Sequence, residues 1–121
     1  MQKRALGKIG EKSADDFLKS ADYEILKNNY FCRLGEIDLI ARDPVSRQLV
    51  FIEVKARTST THGTPEDSLT PLKQQKILKS IFHYLENFPH YCSWRIDLIA
   101  LKLTSQGGLI SLNHLKNILD G

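Results

Sequence analysis

Two short aliphatic runs, Gly35-Glu36-Ile37-Asp38-Leu39-Ile40-Ala41 and Leu49-Val50-Phe51-Ile52-Glu53-Val54-Lys55, each carry acids among residues suited to a buried strand. Between them Asp43-Pro44 and Ser46 favour a turn, so the pair reads as a β-hairpin. Side chains alternate along a strand, which puts Glu36, Asp38 and Ile40 on one face of the first run and Phe51, Glu53 and Lys55 on one face of the second. Those faces coincide when Asp38 lies opposite Glu53, a register that also sets Ile40 opposite Phe51 and Glu36 opposite Lys55. A slip of one residue would separate the carboxylates.

That register carries an electrostatic cost. Opposed β-carbons lie roughly 5 Å apart, and two negative charges at that distance repel by about 3 kcal/mol at an effective dielectric of ~20. A divalent metal would relieve the repulsion. Asp38 and Glu53 offer hard oxygens, the Val54 carbonyl lies between Glu53 and Lys55, and Mg²⁺ bound there would keep several waters. Lys55, beside such a water, would position or deprotonate a nucleophile and neutralise a phosphate. The plainer alternative is a Glu36–Lys55 cross-strand ion pair on an exposed face.

An acid in one strand followed by Glu-x-Lys in the next resembles the active-site signature of the restriction-endonuclease-like superfamily. The wider order is more specific: Gly10-Glu11 with Ala14, then Asn29, Gly35 to Ile40, Phe51 to Arg57, Gly63, Lys73 and Arg95-Ile96-Asp97. It resembles the YraN-type family of small bacterial proteins, related in fold to archaeal Holliday-junction resolvases, and the likeness spans nearly the whole chain. The resemblance implies an α/β fold, a restriction-endonuclease-like mixed sheet in which a three-stranded antiparallel unit and a further strand are flanked by helices. It implies a Mg²⁺- or Mn²⁺-dependent endonuclease acting on DNA, branched or damaged structures included, with Asp38 and Glu53 as metal ligands and Lys55 orienting the attacking water. It adds Glu11 as a further metal ligand, through water, since related nucleases bring an acid from the first helix into the site. The pattern of residues alone favours an exposed Glu11 at the edge of its helical stripe. Phe31 departs from the family pattern, standing where a basic phosphate contact is expected, and Ser80-Ile81 stand where small residues are usual.

The remaining chain is read as follows. With 121 residues one domain, 1–121, is expected, burying about two-thirds of the surface its unfolded chain exposes. A charged content of 26% and a net charge of +3 permit a polyanionic partner without requiring one. No apolar run approaches the ~18 residues of a membrane span, and the N-terminus has no apolar signal core, so a cytoplasmic protein is expected. Cys32 and Cys92 lack metal-ligand spacing and read as packed thiols.

Ala5 to Ala21 reads as a helix, and Tyr23 to Cys32 as a strand interrupted at Lys27-Asn28-Asn29, with Asn29 bonding loop backbone. Residues 56–65 read as a loop at the mouth of the site, with His62 an ordinary loop residue. Arg57 either clamps a phosphate or pairs with Glu36. A second helix starts at Thr64-Pro65 or Thr70-Pro71 and ends by Asn87; Lys73 at its N-terminal end faces the site, whereas Lys76 and Lys79 read as solvated. Trp94 to Leu103 reads as a buried central strand that repeats the pentamer Ile-Asp-Leu-Ile-Ala at 96–100; with no Glu-x-Lys after it, Asp97 is expected to be structural, paired with Arg95 or another basic group. A short helix from Leu112 to Leu119 is expected to close the chain.

So small a domain covers little DNA, and a homodimer would let it hold two strands. The other readings are a nucleic-acid-binding protein that keeps the fold with little catalysis, with Glu36, Arg57 and Lys73 as substrate contacts in either case, and a protein-interaction domain.

Overall fold

The computed structural model describes residues 2–58, 65–88 and 93–119. The elements run α1 (Lys3–Ser20), β1 (Glu24–Cys32), β2 (Gly35–Arg42), β3 (Leu49–Arg57), a 3₁₀ turn (Pro65–Ser68), α2 (Pro71–Glu86), β4 (Trp94–Leu103) and β5 (Leu109–Leu115). The strands form one sheet in the order β1-β2-β3-β4-β5. β3 and β4 pair in parallel, joined through α2, and every other neighbouring pair is antiparallel. This is the restriction-endonuclease-like mixed sheet that the motif order implies.

Each face of the sheet is covered by one helix, because each helix has one apolar stripe to bury. Ala14 and Leu18 of α1 pack on Leu39, Ala41, Val50, Ile52 and Ile99. Ile77 and Ile81 of α2 pack on Ile40, Phe51, Ile96 and Leu98 on the other face. α2 begins as its sequence indicates: Thr70 caps it by accepting a hydrogen bond from the Lys73 amide at 3.2 Å, and Pro71 fills the first helical position, where no amide partner is needed.

Two glycines set how closely the layers approach. A β-carbon on Gly10 would lie 2.8 Å from Ala56 Cβ, so α1 meets β3 without a spacer and brings its neighbour Glu11 to the sheet. One on Gly35, whose φ is +153°, would lie 2.9 Å from Ser80 Oγ, so the β1–β2 turn sits directly on α2. Ser80 is fully buried there, donating its hydroxyl to the Lys76 carbonyl at 2.9 Å, which explains why a small residue follows the basic start of this helix. Gly10→Ala should lower stability by up to about 2 kcal/mol, the ~1–3 kcal/mol cost of this overpacking less the roughly 1 kcal/mol that alanine gains in a helix. The fall would be read as a lower urea midpoint at constant slope; an unchanged midpoint would mean that α1 can lift from β3 without cost.

Three expectations need correction. The closing element is strand β5, not a helix over Leu112 to Leu119. Leu112, Leu115 and Leu119 are spaced as a helical stripe would be, but Leu112 packs with the α1-side core and Leu115 with the α2-side core, an arrangement in which the buried strand β4 gains a partner for its outer edge. β1 is continuous across Lys27-Asn28-Asn29, which is absorbed as a register shift after Ile25 and a left-handed Asn29 (φ 54°). Lastly, Glu36 faces Phe31 of β1 rather than Lys55 of β3. His62, Gly63 and Cys92 lie outside the described residues.

A buried polar network ties the hairpin loop to β4. Asp97, fully buried, accepts from Arg95 Nε at 3.0 Å, from the Asn117 amide at 2.9 Å, and lies 2.7 Å from His114 Nε2. Arg95 also reaches Asp43 at 2.9 Å and Gln48 at 2.9 Å, while Asp43 accepts from the Val45 and Ser46 amides of its own turn. Asp97 is therefore paired with Arg95, as its sequence context suggested. Both carboxyls are held below the usual range by these donors in spite of burial. Among the described residues no helix is long and apolar enough to cross a membrane.

Candidate active site

The β2–β3 ladder runs from Arg42↔Leu49 to Leu39↔Ile52, includes the expected Ile40↔Phe51, and then stops. β3 continues to pair with β4 as far as Arg57. The next pair in the antiparallel register would be Asp38 with Glu53, so the strands part at the two acids. Asp38 Oδ2 takes the Val54 amide at 2.8 Å, satisfying with a side chain a donor that has lost its ladder partner.

The irregularity crosses β2 into β1. Ile37 packs in the α2-side core and Leu39 in the α1-side core, although residues two apart ordinarily share a face. On β1, left-handed Asn29 is missing from the pairing between Asn28↔Leu39 and Tyr30↔Ile37. The parting therefore lets groups from both faces approach one place. From α1 comes Glu11, half-buried and hydrogen-bonded to the Asn29 side chain. From α2 comes Lys73, whose Nζ lies 2.7 Å from Glu53 Oε1.

Charge at this place is poorly balanced. Burial and the Glu53 carboxylate push the Asp38 carboxyl up to about 7 against the opposing Val54 hydrogen bond, with Glu11 and Glu36 adding to the rise. Burial also raises Glu11, with Glu36 and Glu53 adding to the effect, while Asn29 and Lys8 resist. Lys55 moves down through burial and the nearby cations Lys73, Lys3 and Arg57, with Glu53 opposing. Four carboxylates thus feel one another around a lysine whose ammonium form is weakened.

Of the sequence candidates, Asp38 and Glu11 feel Glu53 and each other, and Lys55 feels Glu53, Lys73 and Arg57, so Glu53 is the group the acids and the cations share. Glu36 is exposed and lines a groove of about 700 Å³ together with Glu53 and Lys73. On the α1 side a smaller recess of about 250 Å³ is lined by Glu11, Asp15, Asn28, Asn29 and Asp38, among others. Asp97 stands apart in its own network. Sequence reasoning missed the partnership of Asn29 with Glu11; its signal was an asparagine inside a strand, a residue type that tolerates left-handed φ. It also missed Asp15, buried on α1 and held by Asn28 Nδ2 at 2.8 Å and Lys19 Nζ at 3.0 Å.

The donor set suits a hard cation. Asp38 and Glu53 supply carboxylate oxygens on either side of the parting, and the residual repulsion between them is what a divalent ion would cancel. Among the described residues no group of three or more His, Cys, Asp or Glu side chains gathers to hold a metal ion by itself. A bound ion would thus take backbone and water oxygens as well.

A model described as uncharacterised protein family UPF0102 matches residues 10–101. The chain is 40% identical over 118 residues to a UPF0102 protein of Pelobacter propionicus, covering 97% of this chain and 84% of the relative. It is 36% identical over 121 residues to one of Desulforamulus reducens, covering 98% of each. It is 42% identical over 110 residues to one of Chloroflexus aurantiacus, covering 89% of this chain and 86% of the relative.

Proposed function

We propose that this chain, which belongs to the uncharacterised protein family UPF0102, is a Mg²⁺- or Mn²⁺-dependent endonuclease that hydrolyses phosphodiester bonds in DNA. The observation that carries the reading is the parting of β2 from β3 at Asp38 and Glu53, where burial and the Glu53 carboxylate push the Asp38 carboxyl up to about 7. Folding gains nothing from such a pair, whereas metal-assisted hydrolysis of a phosphodiester has a use for one.

Asp38 and Glu53 would hold the ion, helped by the Val54 carbonyl, with Glu11 acting through water. The ion would supply Lewis acidity at the phosphate and a more acidic water. Lys55, half-buried and with its ammonium form disfavoured, would orient the attacking water in line with the leaving oxygen and accept its proton as the new P–O bond forms, while the leaving oxygen departs and takes a proton from solvent. Arg57 and Lys73 would carry phosphate charge, and Lys73 would exchange its contact with Glu53 for one with the substrate. Asn29 would hold Glu11 toward the cleft.

Purified full-length protein with labelled duplex, single-stranded and four-way-junction DNA in Mg²⁺ or Mn²⁺ tests this. Cutting should disappear in Glu53→Ala and fall on the order of 10²- to 10⁴-fold in Lys55→Ala. No cutting of any DNA by the parent, with no metal uptake by calorimetry, would sink the nuclease reading.

A second reading rests on one contact. Lys73 already neutralises Glu53 at 2.7 Å, as it would in a protein that binds nucleic acid and does little chemistry. DNA affinity would then be insensitive to Mg²⁺ and fall with salt at a logarithmic slope of about −0.9 per phosphate contacted.

A further inference from the structure

The groove beside Glu53 is unlike the rest of the surface. Phe31 is 68% exposed, Leu72 63% and Leu34 39%, and all three line it together with Arg33, Lys73 and Lys76. Among the described residues Arg33 and Lys76 have no carboxylate at ion-pair distance, whereas Lys73 is engaged by Glu53. Of the groove's acids, Glu36 stands across from Phe31 in the β1–β2 register and Glu53 is held by Lys73.

Exposed apolar surface with Arg33 and Lys76 on the same groove, outside any ion pair among the described residues, asks for a ligand with two properties: a flat apolar face and negative charge beside it. A nucleotide combines both. A volume of about 700 Å³ is in the range of a site for a small ligand rather than a cradle for a double helix. A paired base cannot present its face to Phe31, since its neighbours in the stack cover it. The aromatic stands on β1, the edge strand of the sheet, so an approaching base meets no further strand.

We propose that this groove takes an unstacked base next to the phosphate to be cut, with Phe31 stacking on it, Leu34 and Leu72 flanking it, and Arg33 and Lys76 on the adjoining backbone. The preferred substrate class is DNA with unpaired nucleotides, such as a tail, flap or bubble, over a continuous duplex. This rests on the nuclease reading and narrows its substrate. Stacking on an aromatic side chain is sequence-tolerant and strong enough to alter affinity on the order of 10- to 100-fold.

The test is binding of a single-stranded oligonucleotide containing 2-aminopurine and of the matching duplex, with Ca²⁺ replacing Mg²⁺ so that both stay intact. The parent should favour the single strand and alter the 2-aminopurine emission. Phe31→Ala should weaken single-strand binding about 10- to 100-fold and duplex binding less than about twofold, and Phe31→Trp should restore the preference. Lys76→Gln should instead weaken both DNAs together and lower the salt slope by about one phosphate. Because Phe31 is exposed, its replacement leaves the core intact.

Equal effects of Phe31→Ala on both DNAs, or none, would overturn the base site while leaving the nuclease reading standing. A Phe31→Ala variant that dissociates from dimer to monomer with its DNA preference unchanged would assign the patch to a second copy of the chain and overturn the proposal. A parent that binds neither DNA would overturn this inference and the nuclease reading together.

Discussion

Asp38→Asn should be more stable than the parent protein at pH 8. The Asp38 carboxyl, with an ordinary value of 3.8, is raised to about 7 in the folded protein by burial and by Glu53. Between those values the folded state holds a proton that the unfolded chain has released. Stability therefore falls as pH rises from about 4 to about 7, and above that the full penalty is present. A shift of this size corresponds to roughly 4 kcal/mol at most, and water entering the cleft would reduce it to about 2–4 kcal/mol. Asparagine keeps an oxygen that can accept from the Val54 amide, so the substitution removes the charge and spares the hydrogen bond. Urea melts of the two proteins should converge near pH 4 and separate steadily up to pH 7. Equal stabilities at pH 8 would mean that Asp38 bears no such penalty. Excess Mg²⁺ should bring them back together: at about 100 times its dissociation constant it should stabilise the parent by about 2.7 kcal/mol and leave Asp38→Asn almost unmoved.

The second large effect lies in the other copy of the same pentamer. Asp97→Ala should cost about 3–5 kcal/mol, because it leaves Arg95 buried with Asp43 as its one remaining carboxylate partner and strips His114 and the Asn117 amide of an acceptor. Most small domains have only ~5–15 kcal/mol to lose. The sign with pH is opposite to that of Asp38. Asp97 is held below its ordinary 3.8 by His114, Arg95 and the Asn117 amide in spite of burial. Its contribution is therefore complete above about pH 4 and lost as the medium becomes more acid. The parent should lose stability steeply below pH 4, and Asp97→Ala should show a shallower acid limb from a lower plateau. A fall of less than about 1 kcal/mol at pH 7 would show that Asp97 is not what holds β4, β5 and the hairpin loop together.

The two copies show how far the sequence alone could lead. Ile37 to Ala41 and Ile96 to Ala100 are the same five residues, and one aspartate is pushed up while the other is held down. What distinguishes them is the company each keeps: Glu53 and Lys55 one strand after the first, Arg95 two residues before the second. That company is visible in the chain, which is why Asp38 could be separated from Asp97 and why the Ile40–Phe51 register could be stated before any coordinates. Strand β4 was equally legible, because a near-continuous apolar run has few places to go except the middle of a sheet.

Other features depend on long-range demands that local periodicity does not encode. Leu112, Leu115 and Leu119 mimic a helix, and only the open edge of β4 draws the first two into a strand. The hydrogen bond from Asn29 to Glu11 needs α1 pressed against the sheet at Gly10, a contact between segments far apart in the chain. The end of the β2–β3 ladder could not be read either: the sequence shows Asp38 and Glu53 in a register that would oppose them, and not that the strands part there.

The parted strands also divide the sheet into two halves that share a short seam, Arg42↔Leu49 to Leu39↔Ile52. Asp38 belongs to the half made by β1 and β2, and Glu53 to the half made by β3, β4 and β5. The gap between the two carboxylates is therefore not fixed by ladder hydrogen bonds, and across it the Val54 amide donates to Asp38. A cation gripping both would work as a clasp, and a polynucleotide lying across both would press on the same hinge. Linkage then makes the two ligands reciprocal: whatever factor one gains in affinity from the other's presence, the other gains equally. A sheet with an unbroken ladder, holding its acids at one fixed spacing, would have no such cooperativity to offer.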